Sequence, residues 1–365
     1  MMKVCFLLGG LQGNGGIGRV TSILANQLSK RDDIEIHTIS YLQDERPLCY
    51  PLSPAIHTHR LYTQSLSMAK AIFTKHAIKK VRDIIKEENI DLLIACGALY
   101  YPLAVLACNG CSTKCISWEH TNPATTNDYK FQGICRKIGI RYSKACVVLT
   151  KSAKDYYINQ LHVNKKKIFQ IYNPIDVHTS PPYNPSSKKI ISVGRLSYPK
   201  NFSLLLDIAK KVLAKYPDWS WDIYGEGELE TELQEKAKAL KLTDKVHFMG
   251  KVDNLYALYP SYAFLVMTSR YEGFPMSLLE GASSRLPLVS FDVPTGPDEI
   301  IDEGKSGFLV SPFDEESMVE KISLLIENEP LRLEFSANAF KSSHRFTLKG
   351  IEEQWIQVWC NLIAQ

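Results

Sequence analysis

At 365 residues, the chain is long enough for about two domains, each able to bury a core without disulfide staples. Its net charge of +4 conceals an asymmetry: residues 1–175 hold 23 Lys and Arg against 12 Asp and Glu, whereas the remainder holds 20 against 27. No stretch approaches the roughly 20 apolar residues of a membrane span, and the start carries one charge and too short an apolar run for a signal peptide. The expectation is therefore a cytoplasmic protein, and nine cysteines, odd in number and irregularly spaced, read as free thiols in a reducing compartment.

In chain order, residues 4–8 form an apolar run of buried-strand length, and residues 19–29 a helix. Between them, Gly13-Asn14-Gly15-Gly16-Ile17-Gly18 satisfies G-x-G-x-x-G. A dinucleotide fold also needs an acid at the end of the second strand. Here Asp32, Asp33 and Glu35 stand at the start of strand 34–39, and its end reads Thr38-Ile39-Ser40-Tyr41, which argues against NAD. The glycines still let backbone approach a ligand closely.

Residues 69–88 carry Lys70, Lys75, Lys79, Lys80, Arg82 and Lys86 among Ala71, Ile72, Phe73, Ala77, Ile78, Val81, Ile84 and Ile85. The spacing is helical, and two readings stay open: a helix lying on an anionic membrane, or an amphipathic helix with a solvated face. Strands follow at 92–95, 114–118 and 146–149. Cys108, Cys111 and Cys115, with His120 close behind, raise a metal site, but no second Cys-x2-Cys pair completes four ligands. His120 itself stands in Trp118-Glu119-His120 at the end of a strand.

Alternating strands and helices imply parallel sheets and an α/β fold. The rhythm pauses at Asn173-Pro174-Ile175-Asp176 and at residues 180–187, a Pro- and Ser-rich linker, then restarts with strands at 189–193, 219–224, 245–249, 263–268 and 288–291. Gly194-Arg195-Leu196-Ser197-Tyr198-Pro199-Lys200-Asn201 ends the first of these with two cations, suited to a diphosphate. Tyr224-Gly225-Glu226-Gly227 ends the next with a tight turn.

Arg270-Tyr271-Glu272-Gly273-Phe274-Pro275-Met276-Ser277-Leu278-Leu279-Glu280 says more about function than any other segment. It puts Glu272 at the carboxyl end of a strand, where open α/β sheets bind ligands, and Pro275 at the first position of an apolar helix. The free N–H groups of such a start hold anions such as a diphosphate. Glu280 points back toward that start.

The ordered set of Gly15-Gly16, Arg195 and Lys200, Gly225-x-Gly227 and Glu272 through Glu280 resembles the retaining glycosyltransferases of the family-4 type, on the two-Rossmann fold called GT-B. The resemblance spans nearly the whole chain and is strongest in its second half. It implies an acceptor-binding domain over 1–172, a linker over 173–188, a nucleotide-sugar-binding domain over 189–345, and a C-terminal helix over 346–365 crossing back to the first domain, with a ligand cleft between the domains. In that family Arg195 and Lys200 would stabilise the departing nucleotide diphosphate. The backbone of Gly273, Phe274, Pro275, Met276, Ser277 and Leu278 would hold sugar and phosphates, Glu280 the ribose, and the peptide near Val252 the base. Glu272 would sit beside the donor sugar, with His120 facing the anomeric centre. Gly15, Gly16 and Arg19 would reach the donor phosphates or the acceptor.

Thr295-Gly296-Pro297-Asp298-Glu299 resembles a loop of relatives that build surface polysaccharide from galactose or N-acetylhexosamines. The implied activity is transfer of a hexose or N-acetylhexosamine from a UDP-sugar to a carbohydrate acceptor that is lipid-linked, in lipopolysaccharide or capsule assembly at the inner face of the membrane, with retention. No cofactor is implied, no Asp-x-Asp is present to call for a divalent metal, and no nucleic acid is a partner. A nucleotide-sugar epimerase and a non-catalytic partner subunit are the rival readings. An epimerase would form product without an acceptor, and a silent subunit has no need of Glu272, Arg195, Lys200 and His120 together.

Overall fold

The computed structural model describes residues 1–13, 15–63, 74–122, 130–175, 182–252 and 254–364. The chain divides into two units, Met1–Pro174 with Leu348–Gln365, and Ile175–Thr347. In the first unit, β1 (Met2–Leu8), α1 (Gly16–Leu28), β2 (Ile34–Leu42), β3 (His57–Tyr62), α2 (Lys75–Glu87), β4 (Leu92–Cys96), α3 (Tyr101–Cys108), β5 (Lys114–Trp118), α4 (Lys130–Tyr142), β6 (Ala145–Val148), α5 (Lys151–Asn159) and β7 (Ile168–Gln170) follow one another. The seven strands form one sheet, β3-β2-β1-β4-β5-β6-β7, parallel at every pairing. Helices cover both faces of such a sheet, so Val4, Cys5, Phe6, Leu7 and Leu8 of β1 are all buried and read as a continuous apolar run.

The second unit repeats the plan with β8 (Lys189–Val193), α6 (Phe202–Lys215), β9 (Ser220–Tyr224), α7 (Glu230–Ala239), β10 (Val246–Gly250), β11 (Phe264–Met267), α8 (Met276–Ser283), β12 (Leu288–Phe291), α9 (Pro297–Ile300), β13 (Gly307–Val310), α10 (Glu315–Glu327) and α11 (Glu329–Ser343). Its parallel sheet runs β10-β9-β8-β11-β12-β13. Each sheet grows outward from its first strand and then reverses, between β1 and β4 in the first unit and between β8 and β11 in the second. The crevice beyond the carboxyl ends at such a reversal is where doubly wound sheets take ligands.

The last helix, α12 (Leu348–Ile363), belongs to the first unit. Trp355 meets Trp118 of β5 edge to face with ring centroids 4.9 Å apart, and stands 5.7 Å from Trp359. All three rings are fully buried. On the same helix, Glu352 accepts a hydrogen bond from Gln27 Nε2 of α1 at 2.8 Å.

The basic stretch at 69–88 resolves in favour of the second of its two readings. Lys70, Ala71, Ile72 and Phe73 lie outside the described residues, and α2 starts at Lys75, capped by Thr74. Its Ala77, Val81 and Ile85 are buried in the core of the first unit, so this part of the helix packs on its own sheet and does not present its apolar face to a membrane. Lys80 donates to the Leu61 carbonyl at 2.8 Å, and Arg82 to the carbonyls of Ala107 and Leu106. Within the linker, residues 176–181 lie outside the described residues, and Ile175 N–H donates to the Phe346 carbonyl at 2.8 Å.

Candidate functional site

In the second unit the loops that carry the sequence-derived candidates leave the carboxyl ends of strands. Gly194-Arg195 leaves β8, Gly225 leaves β9, Val252 follows β10, and Glu272 follows β11. Arg270 N–H donates to the Pro199 carbonyl at 2.7 Å, lacing the loop after β11 to the loop after β8. This brings Lys200 Nζ to 2.6 Å from Glu272 Oε1, and Ser269 Oγ donates to that oxygen from 2.7 Å. The pair is mostly buried, with the Glu272 side chain 10% exposed and Lys200 23%. Thr295 Oγ1 donates to the Glu272 carbonyl, so the loop after β12 closes on the same residue. Thr295 holds φ at 73°, a strained value for a β-branched residue.

Arg195 differs from Lys200. It is 73% exposed and reaches Glu228 at 3.1 Å, a solvated pair worth about 0–1 kcal/mol. The glycines of Gly225-x-Gly227 answer to packing: a Cβ on Gly225, whose φ is +136°, would overlap the Gly194 carbonyl oxygen, and one on Gly227 the Leu196 carbonyl oxygen. Their small size seats the Arg195 loop, since Leu196 N–H donates to the Glu226 carbonyl at 3.0 Å and Gly225 N–H to the Gly250 carbonyl at 2.9 Å. Val252 is half-buried in the loop beyond Gly250.

Pro275 is the N-cap of α8 and not its first helical residue; Met276 opens the helix. Pro275 supplies no side-chain cap and no acid occupies the first turn, so the N–H groups of Met276, Ser277 and Leu278 are the donors a helix start leaves for an anion. Gly273 and Phe274 lead into it, with Phe274 packed 5.6 Å from Phe346. Glu280 stands just beyond the first turn, 1% exposed, and accepts a hydrogen bond from Tyr259 OH at 3.1 Å.

In the first unit Gly15 is the N-cap of α1 and Gly16 its first residue. Both are exposed, and a Cβ built on either would meet nothing within 4 Å, so this helix start faces open space. Arg19 follows within the first turn. His120 lies beyond β5, its ring 4.3 Å from that of Trp118, with Nε2 buried and without a hydrogen-bond partner among the described residues. Burial pushes its pKa down to about 4 against the opposing pull of Glu119, so the imidazole is neutral at pH 7.

Several functional contacts are invisible in the motifs. Glu119 is buried and accepts from Arg136 Nε at 2.6 Å, Tyr157 OH at 2.8 Å and Thr121 Oγ1 at 2.7 Å. Burial alone would raise its carboxyl, but Arg136, Thr121 and Tyr157 hold it below the usual range. The network fixes the strand end that carries His120. Asn201, in the left-handed region at φ 54°, buries both amide atoms beside Lys200 with no partner among the described residues. The sequence offered one signal for these, a polar residue adjoining each motif, but nothing about their partners.

Two families match the chain in tandem, Glycosyltransferase Family 4 over residues 14–179 and Glycosyl transferases group 1 over residues 177–342. An uncharacterised glycosyltransferase of Haemophilus influenzae is 29% identical over 360 residues, covering 97% of this chain and 99% of the relative. An α-1,4-N-acetyl-D-galactosaminyltransferase of Campylobacter jejuni, whose name specifies a diphospho-undecaprenol-linked GalNAc glycan, is 27% identical over 366 residues, with 98% of each chain covered. The crystal structure of Anabaena HepE with UDP and glucose shares the fold at TM-score 0.82 and 17% identity, over 99% of this chain and all of that one.

Proposed function

This chain belongs to the glycosyltransferases that pair a Family 4 module with a group 1 module on the GT-B fold, and from that premise we propose that it transfers a hexose or N-acetylhexosamine from a UDP-sugar to a lipid-linked glycan, with retention. The observation that carries the reading is the Lys200–Glu272 pair, held at the sheet reversal of the second unit beside the uncapped start of α8. Breaking the bond to the anomeric carbon leaves oxocarbenium character on the sugar and negative charge on the diphosphate. Prepositioned cations and helix N–H groups lower that barrier without reorganising. In this reading Lys200, with Arg195, takes the growing diphosphate charge, and Glu272 keeps Lys200 in place and lies against the donor sugar.

The backbone from Gly273 to Leu278 holds sugar and phosphates, Glu280 the ribose, and Val252 the base. Gly225 and Gly227 shape the loop that presents Arg195. The amide of Asn201, without a partner among the described residues, supports a polar ligand there, because buried amides are rarely left unsatisfied. Gly15, Gly16 and Arg19 meet donor phosphates or acceptor, and neutral His120 offers its imidazole to a substrate hydroxyl. Retention proceeds by front-face attack, the leaving phosphate accepting the acceptor's proton. No divalent metal takes part.

UDP is favoured because HepE binds it on the same fold, and a lipid-linked acceptor because the Campylobacter enzyme's name carries one. A peripheral contact with an anionic membrane fits the basic first half. Its face would be α4, where Phe131, Ile134 and Tyr142 are exposed among Lys130, Lys137 and Arg141. Ile134→Glu should then reduce co-sedimentation with anionic vesicles.

The deciding experiment measures nucleotide release from UDP-, GDP-, ADP- and dTDP-sugars, with and without lipid-linked glycan, for wild type and Arg195→Ala, in EDTA. Acceptor-stimulated release from a UDP-sugar is expected, unaffected by EDTA. Turnover should fall roughly a hundredfold or more in Arg195→Ala. A loss under threefold would remove Arg195 from its role, and an absolute Mn²⁺ requirement would overturn the metal-independent mechanism. Product without acceptor would favour epimerisation.

A further inference from the structure

On the first sheet, far from the carboxyl ends that carry Gly15, Gly16 and His120, four chemistry-bearing residues share one face. Glu35 and His37 alternate on β2, and His57 and His59 on β3. The parallel register sets His37 opposite His57, and Ile39 opposite His59. Period-two alternation on two paired strands therefore turns Glu-x-His and His-x-His to the same side.

We propose that Glu35, His37 and His57 bind one divalent transition cation of the zinc class, with His59 positioning His37 from behind. One ligand atom from each of the three lies within 4.8 Å of the others. His37 Nε2 is 2.8 Å from Glu35 Oε1, and His57 Nε2 is 3.9 Å from it. Zinc holding tetrahedral ligands at 2.0–2.1 Å separates them by about 3.3 Å, so these spacings bracket the requirement and small rotations suffice. His57 is 57% exposed, its ring stacked on that of His37 at 4.7 Å, and its open side gives the ion a way in. His37 Nδ1 lies 3.3 Å from His59 Nε2, so that with Nε2 on the ion, Nδ1–H would donate to His59. Two ligand histidines from one strand pair and a carboxylate leave a fourth position for water.

The surroundings favour a cation. The cluster lies at the carboxyl end of α2, the negative pole of that helix, where Glu87 and Glu88 act on His59, and Glu88 on His37. One group competes: Lys3 Nζ holds Glu35 Oε1 at 2.9 Å, occupying the carboxylate that the ion would take. Removing that lysine should therefore tighten binding, an effect that mere structural packing would not produce.

The test uses the full chain without a histidine tag, stripped of metal, titrated with Zn²⁺ by calorimetry and with Co²⁺ by visible spectroscopy. Expected are about one ion per chain, at least tenfold weaker binding in His57→Ala, and several-fold tighter binding in Lys3→Met. His59→Gln should weaken binding roughly tenfold while leaving the tetrahedral Co²⁺ bands unchanged, as a positioning residue does. No Zn²⁺ uptake by the folded native chain would overturn the proposal. So would uptake indifferent to His57→Ala, or a thiolate-to-cobalt charge-transfer band, which would place the ion on cysteines.

Discussion

At the scale of single residues, the geometry of the candidate site in the second unit rests on positions where nothing larger fits. Gly225 combines φ of +136° with a site where an added Cβ would overlap the Gly194 carbonyl oxygen. Gly225→Ala should therefore destabilise the second unit by more than about 1–3 kcal/mol and abolish turnover, read by denaturation and nucleotide release. Arg195→Ala removes only a solvated pair, so its loss of turnover should come with an unchanged Tm. His120 gives a pH signature. Its folded pKa of about 4 lies below the unfolded value near 6.5, so the unfolded chain binds more protons between those limits. Stability should fall as pH drops through that window, by up to about 3 kcal/mol from this group. Lowered His37 and His59 add in the same direction. His120→Asn should flatten its share of the slope in urea titrations at pH 7, 6 and 5. An undiminished slope would mean His120 is not held neutral.

Elements differ in how plainly the sequence announced them. Strands β1, β4 and β11 are covered on both faces, so burial demands unbroken apolar runs, and those runs were readable. The edge strand β3, His57-Thr58-His59-Arg60-Leu61-Tyr62, was not, because a half-exposed edge tolerates the polar residues that mark loops. The start of α8 was displaced by one residue, since Pro275 serves equally well before a helix as at its first position. At the site, Lys200 and Glu272 were legible as motif members, whereas their pairing, 72 positions apart, depends on the sheet reversal. Thr295 carries its role through a strained φ that no sequence displays. Helix α12 is anchored by the contact of Trp355 with Trp118 of β5: Trp355→Ala should cost the first unit about 3–5 kcal/mol, measured by chemical denaturation. A cost under 1 kcal/mol would mean that the tryptophan contact with β5 is incidental.

For the whole molecule, the two units are alike in plan but unlike in how the chain builds them. The second is one uninterrupted segment, Ile175–Thr347, while the first joins the beginning of the chain to its final stretch from Leu348. Deleting residues 348–365 should leave the second unit able to fold and bind nucleotide, while Trp118 loses its edge-to-face contact with Trp355 and the first unit becomes insoluble or protease-sensitive. Limited proteolysis with mass spectrometry would separate the two fates. The order of manufacture follows. During synthesis the amino-terminal sheet emerges early yet waits, its Trp118 face uncovered, until Leu348–Ile363 has left the ribosome. The unit begun first thus waits on a segment made after the whole of the second, and a chain cut short before Leu348 carries every residue of the second unit but an unfinished first.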